Sequence, residues 1–368
     1  MRKKYIFMLK QLQIFFDFLR FCIGSAKDIP STLKDADWKA LYRIAQKQCL
    51  VGILFDGIQR LPSSDVGISR DLLLQWMAQS KMLEKANVRL NDAAIQVSEW
   101  FRKKGFRTCI LKGQGNALMY PNPYSRTPGD IDIWVEGGDK RVISFVRSIS
   151  PHEKACYHHI EFPSYKGVEV EVHYRPSFLL CFWHNRKLQK YYERVKEEQF
   201  SHRVMLGEQG VIAIPTVEFN LIFQLTHIFS HLMNEGIGLR QLLDYYYVLI
   251  SDDLLLIRDR VQKELKELGL WKFAGGIMYI MQEVFGMPAS RLIVPPDEKY
   301  GRFVLNEVLE AGNFGRHDER NRFGRSKLGH NLQRVYRDIR LVRYFPAEAL
   351  CEPIFRTWHF FWRMKNKK

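Results

Sequence analysis

The chain has 368 residues, 46% of them hydrophobic and 13% aromatic, enough apolar material for a sizeable core and too much for global disorder. With 24 Gly and 14 Pro it is neither collagen-like nor of low complexity. Its 56 Lys and Arg against 40 Asp and Glu leave a formal charge of +16, which suits contact with phosphates or an anionic surface, or else a plain solvated basic exterior.

The length predicts two or three domains. Cys22, Cys49, Cys109, Cys156, Cys181 and Cys351 form no Cys-x-x-Cys pair, and most stand in apolar surroundings. They read as reduced core residues of a cytoplasmic protein, with no zinc site and no disulfide framework. The start, Met1-Arg-Lys-Lys, leads into apolar residues that Lys10, Asp17 and Arg20 interrupt. Phe15, Phe16, Phe18 and Leu19 predict a helical apolar face there rather than a cleaved leader. No window is apolar for long enough to span a membrane.

Residues 1–104 read as a helical region. Asp35 or Asp37 is placed to cap a helix through Trp38, Leu41 and Ile44. A loop is expected over residues 61–67. A long amphipathic helix follows from about residue 70 to 104 and stops at Gly105. Residues 105–215 then read as an α/β unit. It has a strand over Phe106–Leu111, a turn at Lys112-Gly113-Gln114-Gly115 and a helix start at Asn116. Alternating strands are expected at Asp130–Val135 and Val168–Tyr174, with a helix from Lys140 to Ile149 between them. Residues 216–368 return to helices, at 216–234, 239–250 and 254–268. A basic segment follows, with nine Lys and Arg between Arg316 and Arg343.

The chemistry concentrates in the central unit. Asp130 and Asp132 stand at i and i+2, so on a strand both carboxylates leave the same face. Such a pair repels itself unless a cation lies between, and a hard divalent ion with oxygen ligands is the natural partner. Glu169, Glu171 and His173 share one face of the later strand. If the two strands are neighbours, Glu171 brings a third carboxylate to the same place, whereas Glu169 reads as a surface acid. Three acids from two strands suit a two-metal phosphoryl-transfer centre. The Gly113–Gly115 turn lies between a strand and a helix, where backbone can approach a phosphate closely. It matches neither a Walker A loop nor a full dinucleotide fingerprint.

Taken together, Leu111-Lys112-Gly113, Tyr120-Pro121, Arg126, Asp130-Ile131-Asp132 and Glu171-Val172-His173-Tyr174 resemble the bacterial family of uncharacterised nucleotidyltransferases, within the DNA polymerase β-like superfamily. The Asp37-Trp38 helix and the Gly238–Asp244 segment are similar to that family too. The sequence departs from it at Gln114, where Gly or Ser is usual, and at Glu171, where Asp is commoner. The resemblance implies an α+β fold, with a nucleotidyltransferase-like palm over residues 105–215 between helical regions 1–104 and 216–368. It implies Asp130, Asp132 and Glu171 as catalytic, metal-holding acids for Mg²⁺ or Mn²⁺. Lys112, Gly113, Gln114, Gly115 and Arg126 would receive the nucleoside triphosphate, and His173 and Arg240 would lie on the acceptor side.

The implied reaction transfers a nucleoside monophosphate to a hydroxyl of a small molecule, a protein or a tRNA, with pyrophosphate released. Two rivals stand beside it. One is a catalytically silent palm that binds a nucleotide or a partner. The other is a nucleic-acid-binding protein acting through its basic C-terminal segment. His227 and His231 (i, i+4) read as an ordinary helix face, Arg240 and Asp244 as an ion pair, and His158-His159 as a solvated or loop pair. Neither the acceptor nor the oligomeric state is legible.

Overall fold

The computed structural model describes residues 2–62, 67–208, 210–315, 318, 320 and 327–366. The protein is α+β, as expected, with helices surrounding a small mixed sheet. Helices α1 (Arg2–Ile23), α2 (Trp38–Lys47), α3 (Val51–Ile58) and α4 (Arg70–Lys103) come first. Asp37 caps α2 by accepting from the backbone N–H groups of Lys39 and Ala40 at 3.0 and 3.1 Å, which satisfies two donors of the first turn. Gly105 follows α4 with φ +80°, a left-handed conformation that ends the helix.

The central segment contains β1 (Thr108–Ile110), α5 (Gln114–Ala117), β2 (Ile131–Val135), α6 (Gly138–Ile149), β3 (His159–Tyr165), β4 (Val168–His173), α7 (Phe182–Ser201) and the hairpin of β5 (Arg203–Leu206) with β6 (Gly210–Ala213). Helices α8 (Val217–Asn234), α9 (Leu239–Leu249), α10 (Leu254–Glu267), α11 (Trp271–Glu283), α12 (Glu298–Ala311), α13 (Lys327–Leu341) and α14 (Pro346–Lys365) complete the chain.

The four-stranded sheet has the order β1-β2-β4-β3. β2 runs antiparallel to β1 and parallel to β4, and Asp132 sits opposite Glu171 in the register. The two alternating strands read from the sequence are therefore neighbours. The unforeseen strand is β3, which pairs antiparallel with the far side of β4. It is an edge strand with Pro163 within it, and Ile160 is its one buried side chain. It thus lacks the apolar alternation that marks a half-buried strand, and a proline is tolerated at an edge. His158-His159, expected to be solvated or in a loop, accordingly stands at the start of a strand.

Two cores hold these parts. One packs a single face of the sheet, through Ile131, Ile133, Val170 and Val172, against α6 and the later half of α4, which touch each other there. The other joins Phe15, Phe18 and Leu19 of α1, with α2 and α3, to α8–α12. Gln48, buried between them, donates to the Val308 carbonyl at 3.2 Å and accepts from the Leu239 amide at 2.8 Å. The helices before and after the sheet thus share one interior. Among the described residues no helix is long and apolar enough to cross a membrane. Residues 63–66 of the expected loop, and Arg316, Arg322 and Arg325 of the basic segment, lie outside the described residues.

A buried ion pair ties the segment before β2 to the helical core. The Arg126 guanidinium donates two hydrogen bonds of 2.8 Å to the Asp244 carboxylate on α9, and the Tyr120 hydroxyl adds a third at 2.7 Å. Arg240, expected to pair with Asp244, donates to the Thr127 carbonyl at 3.0 Å, and its charge helps to hold the Asp244 carboxylate low. Burial opposes both charges of the Arg126–Asp244 pair, yet their mutual attraction raises the Arg126 pKa and lowers that of Asp244. Asp244→Ala leaves a buried guanidinium without its counter-charge. We expect a loss of about 3–5 kcal/mol of stability, measured as a lower urea midpoint.

Candidate active site

The site grows from the paired edges of β2 and β4. Because the strands run parallel in the register Asp132 opposite Glu171, their carboxylates leave the same face side by side. Asp130, at the mouth of β2, completes the group. Ligand oxygens of Asp130, Asp132 and Glu171 all lie within 4.8 Å of one another. Asp132 is only 3% exposed, while the other two are half-buried.

Such crowding has an electrostatic signature. Repulsion from Asp132, followed by burial, pushes Asp130 up to about 6. Asp132 itself is held well below the usual carboxylate range, because Lys112 and His173 outweigh its burial. Lys112 Nζ lies 2.9 Å from Asp132 Oδ1. Leu111, which precedes it, bonds its amide to the Asp132 carbonyl at 2.9 Å, so the end of β1 fixes where Lys112 starts. Burial works against the charge on His173, but hydrogen bonds to Asp132 and Glu171 win and raise it to about 9. Its Nε2 is 3.0 Å from Asp132 Oδ1 and 3.4 Å from Glu171 Oε2, and its Nδ1 is 3.3 Å from the Arg175 carbonyl. Both ring nitrogens thus donate, as in an imidazolium.

The acids open onto a cleft of about 410 Å³. Its walls carry the histidines that sequence reasoning had set aside. His158 and His159 face it from the start of β3, and His227 and His231 from one face of α8. His227 Nε2 accepts from Lys112 Nζ at 3.2 Å; burial and the nearby ammonium depress its pKa, so it stays neutral. His159 Nδ1 lies 3.4 Å from Glu171 Oε2, and burial lowers His159 to about 4. The far wall comes from α13 and α14, through Arg334, Glu352, Phe355, Arg356 and His359. The i, i+4 spacing of His227 and His231 was a usable signal. Nothing local marks α14 as a wall.

The expected phosphate-binding residues divide. Lys112 lines the cleft. Gly113, with φ +55°, borders an adjoining recess of about 40 Å³, which shares Lys112, Asp130, Asp132 and His227 with the cleft and also takes in Arg126, Gly129 and Arg240. That space holds a few waters at most. Gln114 and Gly115 reach neither space. Gln114 is buried and donates to Asn91 on α4, and a Cβ on Gly115 would press on Ile214. Arg126 is committed to Asp244 and reaches only the recess. The structure thus brings together Asp130, Asp132, Glu171, Lys112 and His173. It leaves Gln114, Gly115, Arg126 and Arg240 outside the large cleft.

The arginines of the basic segment are mostly turned inward. Arg320 pairs with Glu307 and Asp318, Arg340 pairs with Glu307, and buried Arg337 donates to the Glu235 carbonyl. Among the described residues of the segment, Arg334 lines the cleft.

Among curated proteins there is no match. A solved structure of an antigenic nucleotidyltransferase-like protein from Paracoccidioides brasiliensis is similar over 49% of this chain and 90% of that one, at 14% identity and a TM-score of 0.27. The sequence profile of a family described as uncharacterised nucleotidyltransferase matches residues 34–286. That span is more than half of the chain and contains all three acids, so the protein belongs to the uncharacterised nucleotidyltransferase family.

Proposed function

We propose that this protein is a metal-dependent nucleotidyltransferase that moves a nucleoside monophosphate from a nucleoside triphosphate to an acceptor hydroxyl. The observation that carries the reading is the convergence of Asp130, Asp132 and Glu171 at one end of the large cleft. Three carboxylates with no thiolate among them are a hard, oxygen-only donor set. The raised Asp130 is the mark of uncompensated negative charge. Both features fit Mg²⁺ or Mn²⁺, held by these three acids. When bound, such an ion neutralises phosphate charge and acidifies a coordinated hydroxyl.

The protein's own groups account for the rest. The acceptor oxygen bonds to the α-phosphorus in line, the bond from that phosphorus to the bridging β-phosphate oxygen breaks, and pyrophosphate leaves. Glu171, half-exposed at the cleft and kept ionised by His173 despite its burial, takes the hydroxyl proton. Lys112 offsets charge developing on the phosphate oxygens, and Arg334 and Arg356 face the cleft from the opposite wall to hold the polyphosphate tail. His173 is a positioning residue: its two hydrogen bonds fix the directions of Asp132 and Glu171. The silent-palm reading draws on one observation, the narrow space beside Gly113. It separates from ours by predicting nucleotide binding without pyrophosphate release.

The direct test offers α-labelled nucleoside triphosphates with Mg²⁺ or Mn²⁺ to small-molecule hydroxyls, total tRNA and the protein itself. Wild type should transfer label and release pyrophosphate. Asp130→Asn and Asp132→Asn should each lower the rate by about 10²- to 10³-fold or more, the scale of losing one centre of charge stabilisation. Equal labelling by wild type and both variants removes these acids from the mechanism.

His173→Gln should leave the fold intact but weaken Mn²⁺ binding by about 10- to 100-fold, as loss of an orienting neighbour does. Calorimetric titration of Mn²⁺ measures it.

A further inference from the structure

The far wall of the cleft is attached to the rest of the molecule at a point the nucleotidyltransferase reading does not use. Cys181 is the N-cap of α7, and His184 stands one turn into that helix. Glu348 and Cys351 occupy the first turns of α14. A Cys-x-x-His on one helix thus meets a Glu-x-x-Cys on another, and the i, i+3 spacing puts each pair on one helix face. One donor atom from each of Cys181, His184 and Glu348 lies within 4.8 Å of the others. Cys351, one turn beyond Glu348, stands near enough to Cys181 and Glu348 that, after burial, both raise its thiol pKa, to about 11.

Glu348 is the telling member. It is 4% exposed, and among the described residues no Lys or Arg forms an ion pair with it. Its Oε2 accepts from the Leu180 and Cys181 amides at 2.6 and 3.1 Å. Its Oε1 is left facing the cluster, 3.3 Å from His184 Nδ1. A buried carboxylate with one oxygen anchored by backbone and the other turned toward an imidazole and the Cys181 thiol has, among the described residues, no Lys or Arg to balance it.

We propose that Cys181, His184, Glu348 and Cys351 form a structural zinc site that fastens the start of α14 to the start of α7. Two thiolates, one imidazole and one carboxylate oxygen are a closed, four-donor set suited to tetrahedral Zn²⁺, with no position left open for catalysis. Binding releases the two thiol protons to solvent. The backbone amides on Glu348 Oε2 act as the outer support such sites need. The cluster of Cys156, His158 and His159 has a weaker claim, because it offers one thiol and His159 also faces Glu171. Cysteine spacing along the chain gives no sign of such a site, because each helix contributes a single cysteine. Within the next three turns of α14, Glu352, Phe355, Arg356 and His359 line the cleft, so the metal would set the position of that wall.

The test uses the full chain, stripped with chelator under a phosphine reductant and titrated with Co²⁺. One equivalent should give tetrahedral d–d bands and a thiolate-to-cobalt charge-transfer band, both bleached by Zn²⁺. Cys181→Ser or Cys351→Ser should each remove about half of the charge-transfer intensity, and the double variant all of it. Glu348→Gln should weaken Zn²⁺ binding about tenfold or more, and Asp130→Asn should leave the band unchanged. Maleimide labelling gives a readout that needs no variant: Zn²⁺ should protect Cys181 and Cys351 in the wild-type chain. No charge-transfer band, a band that persists in a folded double variant, or equal labelling with and without Zn²⁺ each overturns the site.

Discussion

Mutual repulsion among three carboxylates is the constraint around which the centre of this protein is arranged. The parallel register of β2 and β4 sets Asp132 opposite Glu171, and Asp130 lies one strand step away on the same side. In a partly buried site that arrangement is unfavourable without compensating positive charge. Lys112 and the His173 imidazolium supply part of it, both directed at Asp132. Asp130 is left with its pKa raised, so the compensation is incomplete. A protein with no use for the cluster gains nothing by keeping it. That deficit is what the proposed divalent cation would offset.

The scaffold around the acids is built to resist that repulsion. β1 delivers Lys112 through a backbone bond to Asp132 itself. The segment leading into β2 is clamped by Arg126 to Asp244 of α9, which belongs to the large helical core. The sheet therefore does not stand alone. Helices from both ends of the chain share one interior and brace the strand that carries Asp130 and Asp132. Arg126 serves the site by holding it still, with its guanidinium spent on Asp244 rather than free for phosphate.

How much of this was legible follows from the range of each interaction. Alternation over residues 130–135 and 168–174 exposed both strands, and the i, i+2 spacing placed the acids on one face. Their pairing stood as a condition that the register meets. The Asp37 cap and the Gly105 stop were equally local, and both are present. Features that depend on a distant partner were hidden. Arg126 was expected to receive phosphate from its family-like place before Asp130, and its bond to Asp244, 118 positions further on, could not be read from that place. His158 and His159 gave no apolar pattern because β3 is an edge strand with a proline in it. The cysteines looked inert because spacing rules read one stretch of chain at a time, whereas Cys181 and Cys351 meet across two helices.

The same reasoning bears on the charge of +16. Much of the basic C-terminal segment is not a free surface: Arg320, Arg337 and Arg340 are drawn into contacts with Glu307, Asp318 and the Glu235 carbonyl. Arg334 and Arg356 are instead directed into the cleft, opposite the acids. Glu352 lines the cleft on α14 beside Arg356, 3.7 Å away, and offsets part of its charge. On the proposed function, a polyphosphate would run from the acids toward Arg334 and Arg356. The position of α14 sets where Arg356 stands, and Glu348 and Cys351 lie in the first turns of that helix. The chemistry proposed at the sheet and the anchoring proposed behind the opposite wall therefore act on one dimension of the same cleft.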